Sequence, residues 1–316
     1  MKILYLKEEE VSRLVTVNEV IDLLDVTFRD QAAGRAFTNP RNRLRMPGGM
    51  LHVMAGAIPG YFGYKAYATG GGKAQFFFYL FEAKTFQMVA MMEASTLGQI
   101  RTGAATGLAT RILSNPEASH VALFGAGWQA ETQLLAMDAV RSLKQVWVVN
   151  RNTERRQEFI KKMRPRVKVA LVPASSAEEA VRSSQIVTTI TSSREPVFKG
   201  EWLVEGAHVN AAGGNLLLRR EVDDETVMRA SRVVVDSIEQ AKIEAGEFVG
   251  VIESGRRRWE NFVELREVVA GWKPGRTNSS DITFFKSLGL AAEDVAIGKL
   301  LYERATERGG GRQIDL

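Results

Sequence analysis

The chain has 316 residues, of which 45% are apolar and 25% charged, with 42 basic against 37 acidic side chains. That balance describes an ordinary globular protein with room for two domains, and its formal charge of +5 is spread too thinly to mark a nucleic-acid surface; the densest run, Arg256-Arg257-Arg258, reads as a solvated turn. The absence of cysteine excludes disulfides, thiolate catalysis and cysteine-ligated metals.

The opening MKILYLKEEEV lacks a long apolar core and does not read as a signal peptide. No stretch reaches the roughly 18 apolar residues of a membrane span, so the expected compartment is the cytoplasm. Thr16 and Glu19 have capping-box spacing, and Val20, Ile21, Leu24 and Phe28 then share one face of a helix running toward Gly34. Four short strands are expected at 50–54, 63–68, 75–81 and 88–93, some separated by the turn residues Pro59-Gly60 and Gly70-Gly71-Gly72. A helix follows near 97–113, so rich in glycine and alanine that another backbone can approach it closely. From His120 onward, nearly continuous apolar runs recur at 121–124, 146–149, 169–172, 186–190, 208–212 and 233–235. This is the rhythm of a parallel sheet with crossover helices and both faces covered. After about Thr283 a Leu/Ala-rich helix runs to the Arg-Gly tail and is expected to pack back on the N-terminal domain.

The strongest local signal is Val121-Ala122-Leu123-Phe124-Gly125-Ala126-Gly127-Trp128-Gln129-Ala130, a buried strand followed by G-x-G-x-x-A and a helix. Gly125 permits the tight turn, Gly127 lets a pyrophosphate approach the backbone, and Ala130 lets the helix sit close to the strand. The helix start offers unpaired N–H groups to the phosphates. About 20 residues on, NAD-binding sites place an acidic residue to hold the ribose 2′-hydroxyl. Here the second strand ends in Asn150 and Arg151, with Arg155 and Arg156 shortly after. An arginine fork binds a 2′-phosphate that a carboxylate would repel, so NADP(H) is favoured. NAD(H) with Arg151 stacked on the adenine, or Arg155 and Arg156 merely solvating a helix, is the alternative.

Five segments in order, Gly63-Tyr64-Lys65, Gln99-Ile100-Arg101-Thr102-Gly103-Ala104-Ala105, the glycine turn, Gly206-Ala207-His208-Val209-Asn210-Ala211-Ala212-Gly213 and Ser287-Leu288-Gly289-Leu290-Ala291, resemble the ornithine cyclodeaminase/μ-crystallin family over nearly the full length. The resemblance implies an α/β protein: a Rossmann doubly wound parallel sheet at 116–287, and a discontinuous α+β substrate-binding and dimerisation domain at 1–115 plus 288–316. It also implies a homodimer, and hydride exchange between a nicotinamide and the α-carbon of an amino or imino acid.

The same resemblance places Arg41 and Arg101 as carboxylate-binding arginines, with Arg43 and Arg45 close enough to blur the first choice. Lys65 lies in an otherwise apolar and aromatic strand, where a lysine either points to solvent or is paired for a purpose; the family match makes it a substrate contact that holds the carboxylate or polarises the reacting carbon. Arg101, Thr102, Trp128, Gln129, Thr191, Ala212, Gly213 and Ser287 are expected at the cofactor beside the glycine turn, and Leu288 at the substrate. His208, read as lying at the carboxyl edge of the sheet, is either a proton donor or a structural hydrogen-bonding group. With His52 and His120 isolated, no metal triad is visible.

One departure bears on the reaction. Cyclodeaminases and archaeal alanine dehydrogenases carry an aspartate after the glycine-rich turn, whereas this segment reads Ala212-Gly213-Gly214-Asn215. Asparagine hydrogen-bonds but does not accept a proton at neutral pH, which favours reduction of an already protonated imine. The leading expectation is therefore a ketimine reductase acting on a small cyclic or linear α-imino acid. Ornithine cyclodeaminase and alanine-dehydrogenase-type activity are the alternatives, and a non-catalytic dinucleotide-binding protein is the third.

Overall fold

The computed structural model describes residues 2–315. The chain separates into two compact units, one running to Arg101 and resuming at Gly289, the other spanning Thr102–Leu288. The division falls earlier than the expected 115/116, because a single helix, Ser95–Leu113, begins in the first unit and ends in the second. Among the described residues no helix is long and apolar enough to cross a membrane.

In the first unit the chain forms an eight-stranded, mostly antiparallel sheet. Its long strands are Gly49–Ile58, Tyr61–Gly70 and Lys73–Glu82, bordered by Met88–Glu93. Side chains alternate between faces. Met54, Lys65 and Phe78 pair in register across three strands and are all buried. Helix Ala291–Glu307 covers this face: a side chain on Gly298 would collide with the Phe78 ring, and one on Gly56 with the backbone at Ala291 and Ala292. The opposite face carries stacked pairs, Phe62 on Phe81 and Tyr64 on Tyr79. The expected helix after Thr16 spans Val17–Ala32, with Thr16 accepting from the Glu19 N–H and Glu19 from the Thr16 N–H.

The second unit is an eight-stranded sheet whose pairs are all parallel, in the order Ala170–Pro173, Gln145–Val149, His120–Phe124, Ile186–Thr189, His208–Ala211, Thr283–Lys286, Arg232–Val235, Phe262–Glu264. Order reverses at His120–Phe124, so the crevice outside the carboxyl ends of that strand and Ile186–Thr189 is the switch point where such folds bind ligands. Thr283–Lys286, expected as the start of a helix, is instead a central strand, and the helix begins only at Ala291. The Arg256-Arg257-Arg258 run is also more than a solvated turn: Arg257 Nη2 donates to the carbonyls of Val227, Met228 and Ala230, capping the end of helix Asp224–Arg229. Gly103 lies against the Thr132 backbone, where a Cβ would come within 2.6 Å of the carbonyl oxygen, so the small residues of the 95–113 helix do serve close packing.

Candidate active site

Strand His120–Phe124 delivers the chain into Gly125 at φ +115°, a conformation open to glycine. A side chain there would also strike the Ile190 carbonyl at 2.5 Å. Gly127 is the N-cap of helix Trp128–Val140, and a Cβ built on it meets nothing within 4 Å. Its exposed backbone and the helix's first N–H groups therefore face open space, the arrangement a pyrophosphate needs. Ala130 is fully buried beneath the turn. These features fit a dinucleotide.

A cavity of about 770 Å³ opens at this point. Of the residues expected at the cofactor, Gly125, Gly127, Trp128, Gln129, Asn150, Arg151, Arg155, Thr191 and Gly213 line it; Arg101, Thr102, Ala212 and Ser287 do not. Thr102 is buried, its carbonyl accepting from Gln133 Nε2 and Thr106 Oγ1. At the end of strand Gln145–Val149, Asn150 Oδ1 accepts from the Asn152 N–H and Asn152 caps the next helix through the Arg155 N–H. Three arginines (151, 155 and 219) but a single carboxylate, Glu195, are among the lining residues.

The far wall rests on a buried ionic group that sequence reasoning missed. Glu221 is wholly inaccessible; Oε1 accepts the Thr191 N–H at 2.5 Å and Oε2 the Gly213 N–H at 2.7 Å. It thereby ties together the loops leaving two neighbouring strands. Burial pushes the Glu221 carboxyl up, while Lys286 and the Thr191 bond pull it down. Lys286, itself buried, donates to Glu247 Oε1 at 2.9 Å and to the Gly214 carbonyl at 2.7 Å. Nothing in the apolar context Thr283-Phe284-Phe285-Lys286 signals that this lysine is internal.

Within the first unit, the three expected substrate cations fall into one buried cluster. Lys65 Nζ donates to both oxygens of Asp294, at 2.6 and 2.7 Å, with the two side chains 2% and 1% exposed. Arg101 Nη1 lies 3.5 Å from Glu293 Oε2, and its Nε lies 3.6 Å from Asp294 Oδ1. Gly289, at φ +82°, makes room for this guanidinium, which any side chain there would overlap. Arg41 is buried with Nε against Met54 Sδ, Arg43 is half-buried and Arg45 is exposed. Burial pushes the Lys65 ammonium down to about 8, against the opposing charge of Asp294 and with Arg101 and Arg41 adding to the depression. Three cations facing two carboxylates leave one positive charge, which suits a monoanionic carboxylate ligand.

His208 corrects its expectation. It is the first residue of strand His208–Ala211, at the amino end of the sheet and not at its carboxyl edge. Its ring is wholly buried, with Nδ1 2.9 Å from Thr283 Oγ1 and Nε2 3.0 Å from Asn210 Oδ1, and burial lowers its pKa to about 3. A neutral, fully bonded imidazole there is a structural strut. Asn215 lies in the loop after this strand, Ser287 is buried beside Ala211, whose carbonyl accepts its N–H, and Leu288 belongs to the apolar core.

A glycine turn at the switch point of a doubly wound parallel sheet is the architecture of a Rossmann dinucleotide-binding domain. The profile of the ornithine cyclodeaminase/mu-crystallin family matches residues 1–309, and the chain belongs to that family. It is 31% identical to a delta(1)-pyrroline-2-carboxylate reductase of Bacillus cereus, over 99% of each chain. Among solved structures it is similar to the delta(1)-pyrroline-2-carboxylate reductase of Thermococcus litoralis in complex with NADH and L-proline, at a TM-score of 0.94 and 32% identity over 99% of this chain and 100% of the other. It is equally similar to an archaeal alanine dehydrogenase dimer with bound NAD, at a TM-score of 0.94 and 33% identity over the whole of both chains.

Proposed function

We propose that this protein reduces the C=N bond of a small α-imino acid, such as pyrroline-2-carboxylate, to the amino acid with NAD(P)H. The observation that carries this reading is the buried cluster of Arg41, Lys65 and Arg101, whose single surplus charge is matched to one carboxylate. The likeness to two pyrroline-2-carboxylate reductases supports it.

Gly127 and the start of helix Trp128–Val140 would hold the pyrophosphate, with Thr191 and Gly213 as the opposite wall. A bound reduced nicotinamide supplies the hydride. Arg41, Arg101 and the Lys65 ammonium orient the substrate through its carboxylate, and the proton already on the imine nitrogen makes the α-carbon electrophilic toward the hydride. Asn215, standing where relatives carry a proton-accepting aspartate, has an amide that does not accept a proton and leaves oxidation of an ammonium substrate without its base.

Arg151 and Arg155 at the cavity rim, with no carboxylate at the end of the second strand, support a preference for NADPH over NADH. The aromatic face of the first unit, Phe62, Tyr64, Tyr79, Phe81 and the 75%-exposed Phe86, supports a homodimer formed across that sheet. Amino acid dehydrogenation is the second reading, favoured by the likeness to alanine dehydrogenase. Absorbance at 340 nm separates the readings. Consumption of NAD(P)H with pyrroline-2-carboxylate is expected. Reduction of NAD(P)+ by alanine alone would replace the first reading with the second.

A further inference from the structure

We propose that Asp294 is a positioning residue that holds the Lys65 ammonium both in place and in its charged form, so that the carboxylate site keeps one net positive charge. The proposal rests on the reading of Lys65 as a substrate contact.

Lys65 occupies a sheet position flanked in register by Met54 and Phe78, where an apolar side chain would pack without cost. A buried ion pair adds little stability over such a replacement, so the pair calls for a reason other than stability. A lysine stem has many rotamers. Here the ammonium is fixed because both Asp294 oxygens receive it, at 2.6 and 2.7 Å.

The charges around it are unequal. Arg101 faces Lys65 from helix Ser95–Leu113, Arg41 from the segment before strand Asn42–Met46, and Asp294 from helix Ala291–Glu307; Glu293, one residue earlier, contacts Arg101. Burial and both guanidinium groups favour the neutral amine, and Asp294 alone opposes them. Without Asp294, Lys65 would lose its proton first, because arginine does not titrate in this range. The cluster would then keep its arginines but lose the cation that Asp294 fixes beside them. With Asp294, Lys65 stays charged up to about pH 8.

The test is the pH profile of kcat/KM for pyrroline-2-carboxylate in the native enzyme, Asp294→Asn and Asp294→Glu, with NADH affinity measured alongside. In the native enzyme kcat/KM is expected to fall above about pH 8. In Asp294→Asn that limb should move down by roughly 1–3 pH units, the size of effect an adjacent opposite charge exerts. KM for the imino acid should rise near neutral pH, and NADH affinity should hold. Asp294→Glu, which keeps the charge, should return the limb toward its native position. An Asn variant with the native limb and native KM overturns the proposal. If that variant fails to fold, a 13C NMR titration of Lys65 in the unmodified protein decides. A lysine that keeps its proton through neutral pH, to about pH 8 or above, supports the proposal, and one already neutral at about pH 7, well below its ordinary range, overturns it. Lys65→Ala separates the two levels: native activity in that variant sinks the reading of Lys65 itself, whereas loss of activity beside a native-like Asp294→Asn sinks the role of Asp294 alone.

Discussion

Replacing Glu221 by glutamine changes one oxygen to an amide and leaves size and shape alone. In the native protein both carboxylate oxygens accept backbone N–H groups, from Thr191 and Gly213, and both of those residues line the dinucleotide cavity. A glutamine can accept only one of the two; its NH2 would face the other N–H, donor against donor. Hydrogen bonds to a charged group contribute roughly 1.5–3 kcal/mol, and a buried donor left unpaired costs about 1–3 kcal/mol. Glu247 Oε1 already receives Lys286 and the Glu221 N–H. If about half of such a loss, near 1.4 kcal/mol, appears in cofactor binding, NADH affinity falls about tenfold, and the rest appears as a lower unfolding temperature. Fluorescence titration with NADH and a thermal melt of the same preparation measure both. Native affinity together with a native melt would show that the two loops are held by something other than Glu221.

Three further outcomes follow from the site. Arg151→Ala should narrow the NADPH/NADH affinity ratio by about tenfold or more, since it removes a charge-assisted phosphate contact of roughly 1.5–3 kcal/mol; tighter binding of NADH than NADPH by the native protein would refute the preference. Lys65→Ala should nearly abolish turnover while leaving dinucleotide affinity little changed, and retention of most activity would reduce Lys65 to a packing residue. Asn215→Asp should raise oxidative or deaminating activity, up to the ~10²–10⁴-fold a positioned base contributes, and an unchanged rate of ammonia release from ornithine would remove Asn215 from the explanation.

Features carried by neighbouring residues were legible in the sequence. The strand, glycine turn and helix around Gly125 and Gly127 lie within a few residues of one another, and each small residue answers a local steric demand. The Thr16–Glu19 box likewise announces its own helix. Contacts closed over long stretches of chain left no such mark. Lys65 and Asp294 are 229 positions apart, and Asp294 reads locally as an acidic residue in the first turn of a helix, where the dipole alone would favour it. Lys286 and its buried partner Glu247 are 39 positions apart, and neither marks the other in the sequence. The edge pairing of Lys2–Leu6 with Arg312–Asp315 joins the two ends of the described chain and has no local signature. His208 was misplaced because its role depends on which end of the strand it occupies, and an apolar run at 208–212 does not show which residues sit at the ligand side.

The most direct test follows deuterium from [4,4-2H2]-labelled NADH or NADPH during turnover of pyrroline-2-carboxylate. The expected product is proline with a single deuterium on its α-carbon, formed in step with cofactor oxidation and dependent on Lys65. Unlabelled product, or release of ammonia from ornithine with no net oxidation of cofactor, would contradict imino acid reduction as the function of this site.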